Sequence, residues 1–428
     1  MNMRPVALAA AVILVLLLGV ALLYAYRNAV PRAATGELTP SPSTSASATS
    51  GTPSASQTTS AAPRAASGGI EVFATGALHG SQVWVVRSET VPGDPVTAIT
   101  ESLYVVPADG GTAKLVVRRV RARDQGAIGG YAASGIVASR QISPDGTKLV
   151  LQQSLLGTAA HDGLVVVDLV NGKITEILRG DMQPDLMPAW SPDAARIAFT
   201  RRLTTPSSPD DGLWVANADG TGVRRVFTGA CCAQQTTVYG WTVDGSGIAS
   251  AVTFEGADYL VANATTGAVT GPHGQVFGLA PASWRLATPQ FVGAFSEGDK
   301  GGEQRIDVAD RIGAPTRTIW HEPSDIATGQ PLLMNARWNP SGNELLYIRS
   351  ARQGQVMRIS ATGGTPTEVP LSGQPFRAEW LPDGRIVVIT VANGIGGVVH
   401  VLDGTTQKTI LSFPEGAGLN DISVRVYP

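Results

Sequence analysis

One ten-residue phrase recurs along this 428-residue chain at intervals that leave few folds open. It reads WSPDAARIAF from Trp190 and returns as WTVDGSGIAS from Trp241, WNPSGNELLY from Trp338 and WLPDGRIVVI from Trp380. An earlier copy, ISPDGTKLVL, has Ile142 in place of the tryptophan. Trp284 keeps its place before a degenerate turn, with FVGAF (Phe291–Phe295) standing where IAF (Ile197–Phe199) would be. The six anchors, Ile142, Trp190, Trp241, Trp284, Trp338 and Trp380, are 48, 51, 43, 54 and 42 residues apart. A period of about 40–50 residues marks a supersecondary unit that cannot bury its apolar face alone and must stack on copies of itself.

The residues after each anchor explain the shape of the unit. Pro144-Asp145-Gly146, Pro192-Asp193, Asp244, Pro340-Ser341 and Pro382-Asp383 are turn formers. Pro fixes φ near −65°, the Asp carboxylate accepts a nearby backbone N–H, and Gly permits positive φ. Ala194 replaces that glycine in one copy, so its turn is expected to differ in type or to be strained. Each phrase is followed by a hairpin signature, as in GLWVANADGTGVRRVF (Gly212–Phe227), GLVVVDLVNGKITEIL (Gly163–Leu178) and GQVMRISATGGTPTEV (Gly354–Val369). One unit is therefore four short antiparallel strands, the first ending at the anchor. Each tryptophan offers a large flat surface to wedge between neighbouring sheets. Stacking such sheets around an axis buries both faces of each and shields most edges. The 49 glycines and 28 prolines suit many short strands joined by tight turns.

The phrase W-S-P-D-G … I-A-F … L-W-V … D-G resembles the WD40-like Pro-Asp repeat of TolB-type β-propellers. The resemblance runs from about Ile136 to Phe413. It is strong in the second, third, sixth and seventh units, weaker in the fourth and poor in the fifth. It implies an all-β fold, a β-propeller of four-stranded antiparallel blades, and little about activity. Members are exported binding proteins, or propeller domains attached to hydrolases. Nothing here ties the chain to the Tol system, and with Pro428 as the last residue an appended peptidase is not expected. A further blade is expected before the first anchor, from Ile70–Thr75, Gln82–Arg87 and Ser102–Val117, with a long connection at Ser88–Glu101. Seven blades result, with six or eight as alternatives. Asp421–Tyr427 (DISVRVY) is an extra strand expected to pair with the first blade.

The amino-terminal region has other physics. Residues 1–5 are short and basic, and Val6–Tyr26 runs 21 residues without a charge, long enough to cross about 30 Å of hydrocarbon. Its length, and Tyr24, Tyr26 and Arg27 at its end, favour an uncleaved transmembrane signal anchor over a cleaved signal peptide. No cysteine stands near its end, which excludes a lipoprotein anchor. Residues 27–69 are Ser/Thr/Pro/Ala-rich and are expected to stay disordered, as a plain spacer or a glycosylated stalk. The propeller, residues 70–428, is then expected on the extracytoplasmic side of a bacterial cell membrane. A net charge of −2 gives no reason to expect a nucleic acid partner.

Chemistry-bearing motifs are sparse. The sequence holds no H-E-x-x-H, paired C-x-x-C, nucleophile elbow, P-loop or dinucleotide fingerprint, so neither a metal site nor a cofactor is expected. Long, individual loops fall on the face opposite the Pro-Asp-Gly turns, and loops on a rigid scaffold are where binding tends to lie. The ligand-face candidates there are His161, Asp181, Arg201, Cys231, Cys232 and His321. Cys231 and Cys232 are adjacent. They could form a strained vicinal disulfide, stay as thiols or bridge chains. The expected function is a protein-, peptide- or glycan-binding or sensor module at the cell envelope. The alternatives are a propeller enzyme of lyase, lactonase or cyclase type, or an envelope scaffold.

Overall fold

The computed structural model describes residues 64–65, 70–73, 75–91, 94–122, 138–153, 162–180, 187–201, 212–228, 235–253, 257–270, 283–284, 291–297, 303–309, 317–323, 331–350, 354–391, 397–413 and 418–428. The chain divides into two units, Met1–Pro53 and Ser54–Pro428, and all described residues belong to the second. The run Val6–Tyr26 lies outside them. Among the described residues no helix is long and apolar enough to cross a membrane.

The strands, in chain order, are β1 (Arg64–Ala65), β2 (Ile70–Val72), β3 (Gly80–Val91), β4 (Asp94–Pro107) and β5 (Lys114–Ala122). A short helix, α1 (Ala138–Gln141), precedes β6 (Lys148–Gln153), β7 (Asp162–Asp168) and β8 (Ile174–Gly180). Four groups of four follow. The first is β9 (Ala189–Trp190), β10 (Arg196–Arg201), β11 (Gly212–Asn217) and β12 (Arg224–Thr228). The second is β13 (Gln235–Trp241), β14 (Gly247–Thr253), β15 (Ala257–Asn263) and β16 (Val269–Thr270). The third is β17 (Ser283–Trp284), β18 (Phe291–Glu297), β19 (Glu303–Ala309) and β20 (Arg317–Pro323). The fourth is β21 (Leu332–Trp338), β22 (Glu344–Ser350), β23 (Gln355–Ser360) and β24 (Thr367–Val369). Then come β25 (Gln374–Trp380), β26 (Ile386–Val391), β27 (Val398–Asp403), β28 (Thr406–Ser412) and, last, β29 (Gly418–Tyr427).

These strands build an all-β propeller of antiparallel sheets. Five sheets have four strands in simple order, from β9–β12 to β25–β28. A sixth, closing sheet runs β1-β2-β5-β4-β3-β29. The expectation of seven four-stranded blades is corrected to the alternative of six: among the described residues six sheets have four or more strands, while β6-β7-β8 has three. Its innermost strand is reduced to one bridge, Ile142↔Leu149, because Ala138–Gln141 turns into α1 before the anchor. The Asp421 carboxylate receives the Ser139 amide at 3.1 Å and holds that turn in place.

The anchors keep one register. Ile142 pairs with Leu149, Trp190 with Ile197, Trp241 with Ile248, Trp284 with Phe291 and Trp338 with Leu345, each seven residues on. Trp380 pairs with Ile386 after a turn one residue shorter. The degenerate copy at Trp284 is therefore a true repeat. Ala194 takes φ 56°, beside 68° at Gly146 and 66° at Gly245, so its turn is of the same kind and strained rather than of another type.

The core lies between sheets. Val150, Leu164 and Val166 pack on Trp190, Ile197 and Phe199 of the next sheet. Leu213 and Val215 likewise meet Trp241 and Ile248, and Leu346 and Ile348 meet Trp380 and Val388. The wedge is also pinned by hydrogen bonds. Trp190 Nε1 donates to Gln141 O at 2.8 Å, Trp241 Nε1 to Ala189 O at 3.0 Å, and Trp380 Nε1 to Arg337 O at 3.3 Å. In each case the acceptor is the residue just before the preceding anchor. One side chain thus supplies apolar area and satisfies its own polar atom across the joint.

Closure differs from expectation in one respect. The C-terminal strand β29 does pair with the first sheet, as its innermost strand against β3, from Gly418↔Ser88 to Tyr427↔Gly80. Ile70–Val72, read as part of the first blade, pairs with β5 and is flanked on its outer side by β1. The expected loop Ser88–Glu101 is largely strand, since β3 and β4 form one long hairpin. Alternation along β3 sends Val83 and Val85 to the last blade and Trp84 and Val86 to the β6–β8 sheet, which locks the ring at the seam.

Candidate functional site

Because the innermost strand of each four-stranded sheet ends at its anchor, the residues around the anchors converge on the axis. Five phrases contribute the anchor and the residue two further on: Ile142 and Pro144, Trp190 and Pro192, Trp241 and Val243, Trp338 and Pro340, Trp380 and Pro382. With Val424 and Val426 of β29 they line a cavity of about 540 Å³. Its polar lining comes from Ser139 and Arg140 of α1, Tyr239 of β13, Arg337, Glu379, Ser423 and Arg425.

Local chemistry fixes this rim. Ser191 Oγ donates to Asp193 and accepts the Arg196 amide at 2.9 Å, while Asp193 Oδ1 accepts the Ala195 amide at 3.1 Å. Thr242 and Asp244 repeat the arrangement, with Thr242 Oγ1 to Asp244 Oδ1 at 2.5 Å and Gly247 N to Thr242 Oγ1 at 2.9 Å. Ser143 and Asp145 do the same. Asn339 substitutes its amide oxygen, accepting Asn343 N at 3.0 Å and Glu344 N at 3.1 Å. The Ser191 hydroxyl, against partial burial, and the Ala195 amide hold the Asp193 carboxyl below its ordinary range. Burial opposes the charge on Asp145, yet Ser143 and Thr147 hold it low as well. These bonds tie the turns that carry Pro144, Pro192, Val243 and Pro340 to the cavity.

The indoles are almost wholly buried: Trp190 is 6%, Trp241 6%, Trp338 9% and Trp380 5% exposed. Two of the rings also carry a guanidinium, Arg196 at 4.7 Å from the Trp241 centre and Arg358 at 5.4 Å from the Trp380 centre. Three arginines and one glutamate line it, a formal excess of two positive charges. Arg337 Nε donates to Glu379 Oε2 at 3.1 Å, and the Trp380 amide donates to Glu379 Oε1 at 3.1 Å. Arg425 donates to Val424 O at 2.9 Å, to Ile142 O at 3.3 Å and to Ser423 Oγ. Arg140 donates to Val238 O. Burial pulls the Arg140 guanidinium down to about 10, with Asp421 and Tyr239 acting in the opposite sense. Burial lowers Arg425 too, against the pull of Tyr427, Glu379 and Asp421. Arg140 stays cationic at neutral pH.

Of the sequence-based candidates, only Arg201 and His321 are among the described residues. His161, Asp181, Cys231 and Cys232 lie outside the described residues, as do the middles of the long loops. Arg201 ends β10, its guanidinium 5.1 Å from the centre of the Trp214 ring. His321 stands on β20, the outermost strand of its sheet, paired with Glu303 and 65% exposed. Arg201 and His321 belong to different sheets, and neither lines the cavity. Sequence reasoning passed over Arg140, Arg337, Glu379 and Arg425. A signal was present for two of them: Arg337 and Glu379 immediately precede anchors, in strands otherwise destined for burial. Among the described residues no group of three His, Cys, Asp or Glu could hold a metal ion.

No protein-family model matches the chain, and no curated protein matches it in sequence. Solved structures do resemble it. TolB from Acinetobacter baumannii is 13% identical, with 81% of this chain and 67% of that one covered and a TM-score of 0.44. An oligogalacturonate lyase in complex with manganese is 12% identical, covering 78% and 86%, with a TM-score of 0.49. Prolyl endopeptidases are 14% identical over 76% of this chain, with a TM-score of 0.47, and the match spans 48% of their length.

Proposed function

We propose that this protein is a binding module of the bacterial cell envelope, held by a single span at Val6–Tyr26 and spaced by the residues between that span and β1. Its propeller, which begins at β1, stands on the extracytoplasmic side, and the axial cavity receives a segment of a protein or peptide partner. The observation that carries this is the cavity itself, in which five copies of the repeat place an anchor and, in four of them, a proline around one axis. A concave, largely apolar site with a few convergent polar groups is the usual form of a binding site. A glycan needs an open aromatic face to stack on, and these indoles expose only 5–9% of their surface. Lyase, lactonase or cyclase chemistry needs an acid or base free to exchange a proton. Glu379, the one carboxylate among the described lining residues, is engaged by Arg337 and the Trp380 amide. The long-loop face, with His161, Asp181, Cys231 and Cys232, is the rival docking surface.

The test is capture of partners from solubilised envelope by the full-length chain. Val426→Trp should block the cavity mouth, since Val426 is 60% exposed and lines it. Capture should be lost in that variant, with its unfolding midpoint unchanged, and kept by a His161→Ala/Asp181→Ala variant. The reverse pattern would move the site to the long loops.

A further inference from the structure

We propose that the axial cavity is a carboxylate receptor, taking a ligand that carries one carboxylate on an apolar stem. The inference rests on the cavity being the binding site and names the chemistry it selects. Glu379 is matched by Arg337. Arg140 and Arg425 are left with neutral hydrogen-bond partners, the carbonyls of Val238, Val424 and Ile142 and the Ser423 hydroxyl. The Nε of each is buried with no hydrogen-bond partner among the described residues. Asp421 sits close by but is shared between the Ser139 amide at 3.1 Å and Arg377 at 3.8 Å. Neither Arg140 nor Arg425 forms an ion pair among the described residues.

A guanidinium held out of water beside carbonyls keeps its charge at a cost that neutral acceptors offset only in part. A carboxylate entering the cavity supplies the missing counter-charge through charge-assisted hydrogen bonds, whose planar geometry suits a guanidinium. Apart from Ser139, Tyr239, Gly240 and Ser423, the rest of the lining is indole, proline, valine and Ile142, which favours one charge on an apolar stem over a polyanion. Such a group exists at the C-terminus or an acidic side chain of a polypeptide, and in a free short-chain organic acid.

The experiment is calorimetric titration of the full-length protein with three probes: acetyl-Leu-Pro-Val-Leu with a free carboxylate, the same peptide amidated, and hexanoate. The acid peptide should bind at least ten-fold more tightly than the amide. Arg140→Gln and Arg425→Gln should each erase that preference. Glu379→Gln removes a competing carboxylate without removing a cation, so it should tighten binding of the acid several-fold. This variant keeps the test meaningful if Arg425→Gln disturbs β29. Hexanoate binding as tightly as the acid peptide supports a free organic acid as the source, and tight binding of the peptide alone supports a polypeptide. Equal affinity for acid and amide overturns the carboxylate claim and leaves the cavity as the binding site. Binding of no probe also overturns it, and the Val426→Trp capture then decides whether the cavity falls as well.

Discussion

Asp193 is bonded by the hydroxyl of Ser191 two residues before it and by the amide of Ala195 two residues after it. That small network, repeated with Thr242 and Asp244, gives the repeated phrase its energetic logic. Ser191→Ala strips the bridge between Asp193 and the Arg196 amide and should cost about 1–3 kcal/mol in urea unfolding. Ala194 sits at φ 56° where other copies have glycine. An L-residue there pays roughly 1–2 kcal/mol, while a glycine loosens the unfolded chain by about 0.4–1 kcal/mol. The difference predicts that Ala194→Gly raises stability by about 0.5 kcal/mol. Gly146→Ala should do the reverse and by more, because a Cβ there would meet the Tyr427 hydroxyl at 1.8 Å. His400 supplies the pH dependence. Burial lowers its pKa from 6.5, and its ring nitrogens face Thr390 at 2.9 Å and Thr409 at 3.1 Å. The unfolded chain then takes up a proton first as pH falls. Stability should be flat above about pH 6.5 and decline below it, and His400→Gln should flatten that decline in urea midpoints measured from pH 7.5 to 5.

At the scale of the element, the tryptophan joint was legible because its chemistry is local: an anchor, a turn, and a partner seven residues on. Even Trp284, whose turn is degenerate, keeps that register. The indole hydrogen bond to the residue before the preceding anchor could not be read, since it joins positions 52 residues apart for Trp241 and Ala189. Trp241→Phe keeps an aromatic wedge and removes that bond, so it should cost about 1–2 kcal/mol, with the difference seen in thermal or urea unfolding. The turn of helix at Ala138–Gln141 was not legible either. It depends on Asp421, 282 residues away, receiving the Ser139 amide.

The whole molecule shows where sequence reading stops. The repeat period and the hairpins follow from spacing, but the blade count and the closure are decided by pairing between distant parts of the chain. β29 must reach β3 across more than 300 residues, and it takes the innermost place while Ile70–Val72 pairs with β5. Removing residues 418–428 should leave the β3 edge open and strip Ser423–Val426 from the axis, giving a protein that aggregates and is cleaved early in limited proteolysis. The cavity was missed for a related reason. Its walls are the repeat signature itself, read as structural; Arg337 and Glu379 come from neighbouring repeats, whereas Arg140 and Arg425 join them only when the ring closes. The most direct measurement is photocrosslinking from the full-length chain carrying p-benzoylphenylalanine at position 426, compared with the same probe at position 161. Adducts to one protein partner from position 426, and none from 161, are the predicted result. Adducts from 161 alone would contradict the axial cavity as the binding site.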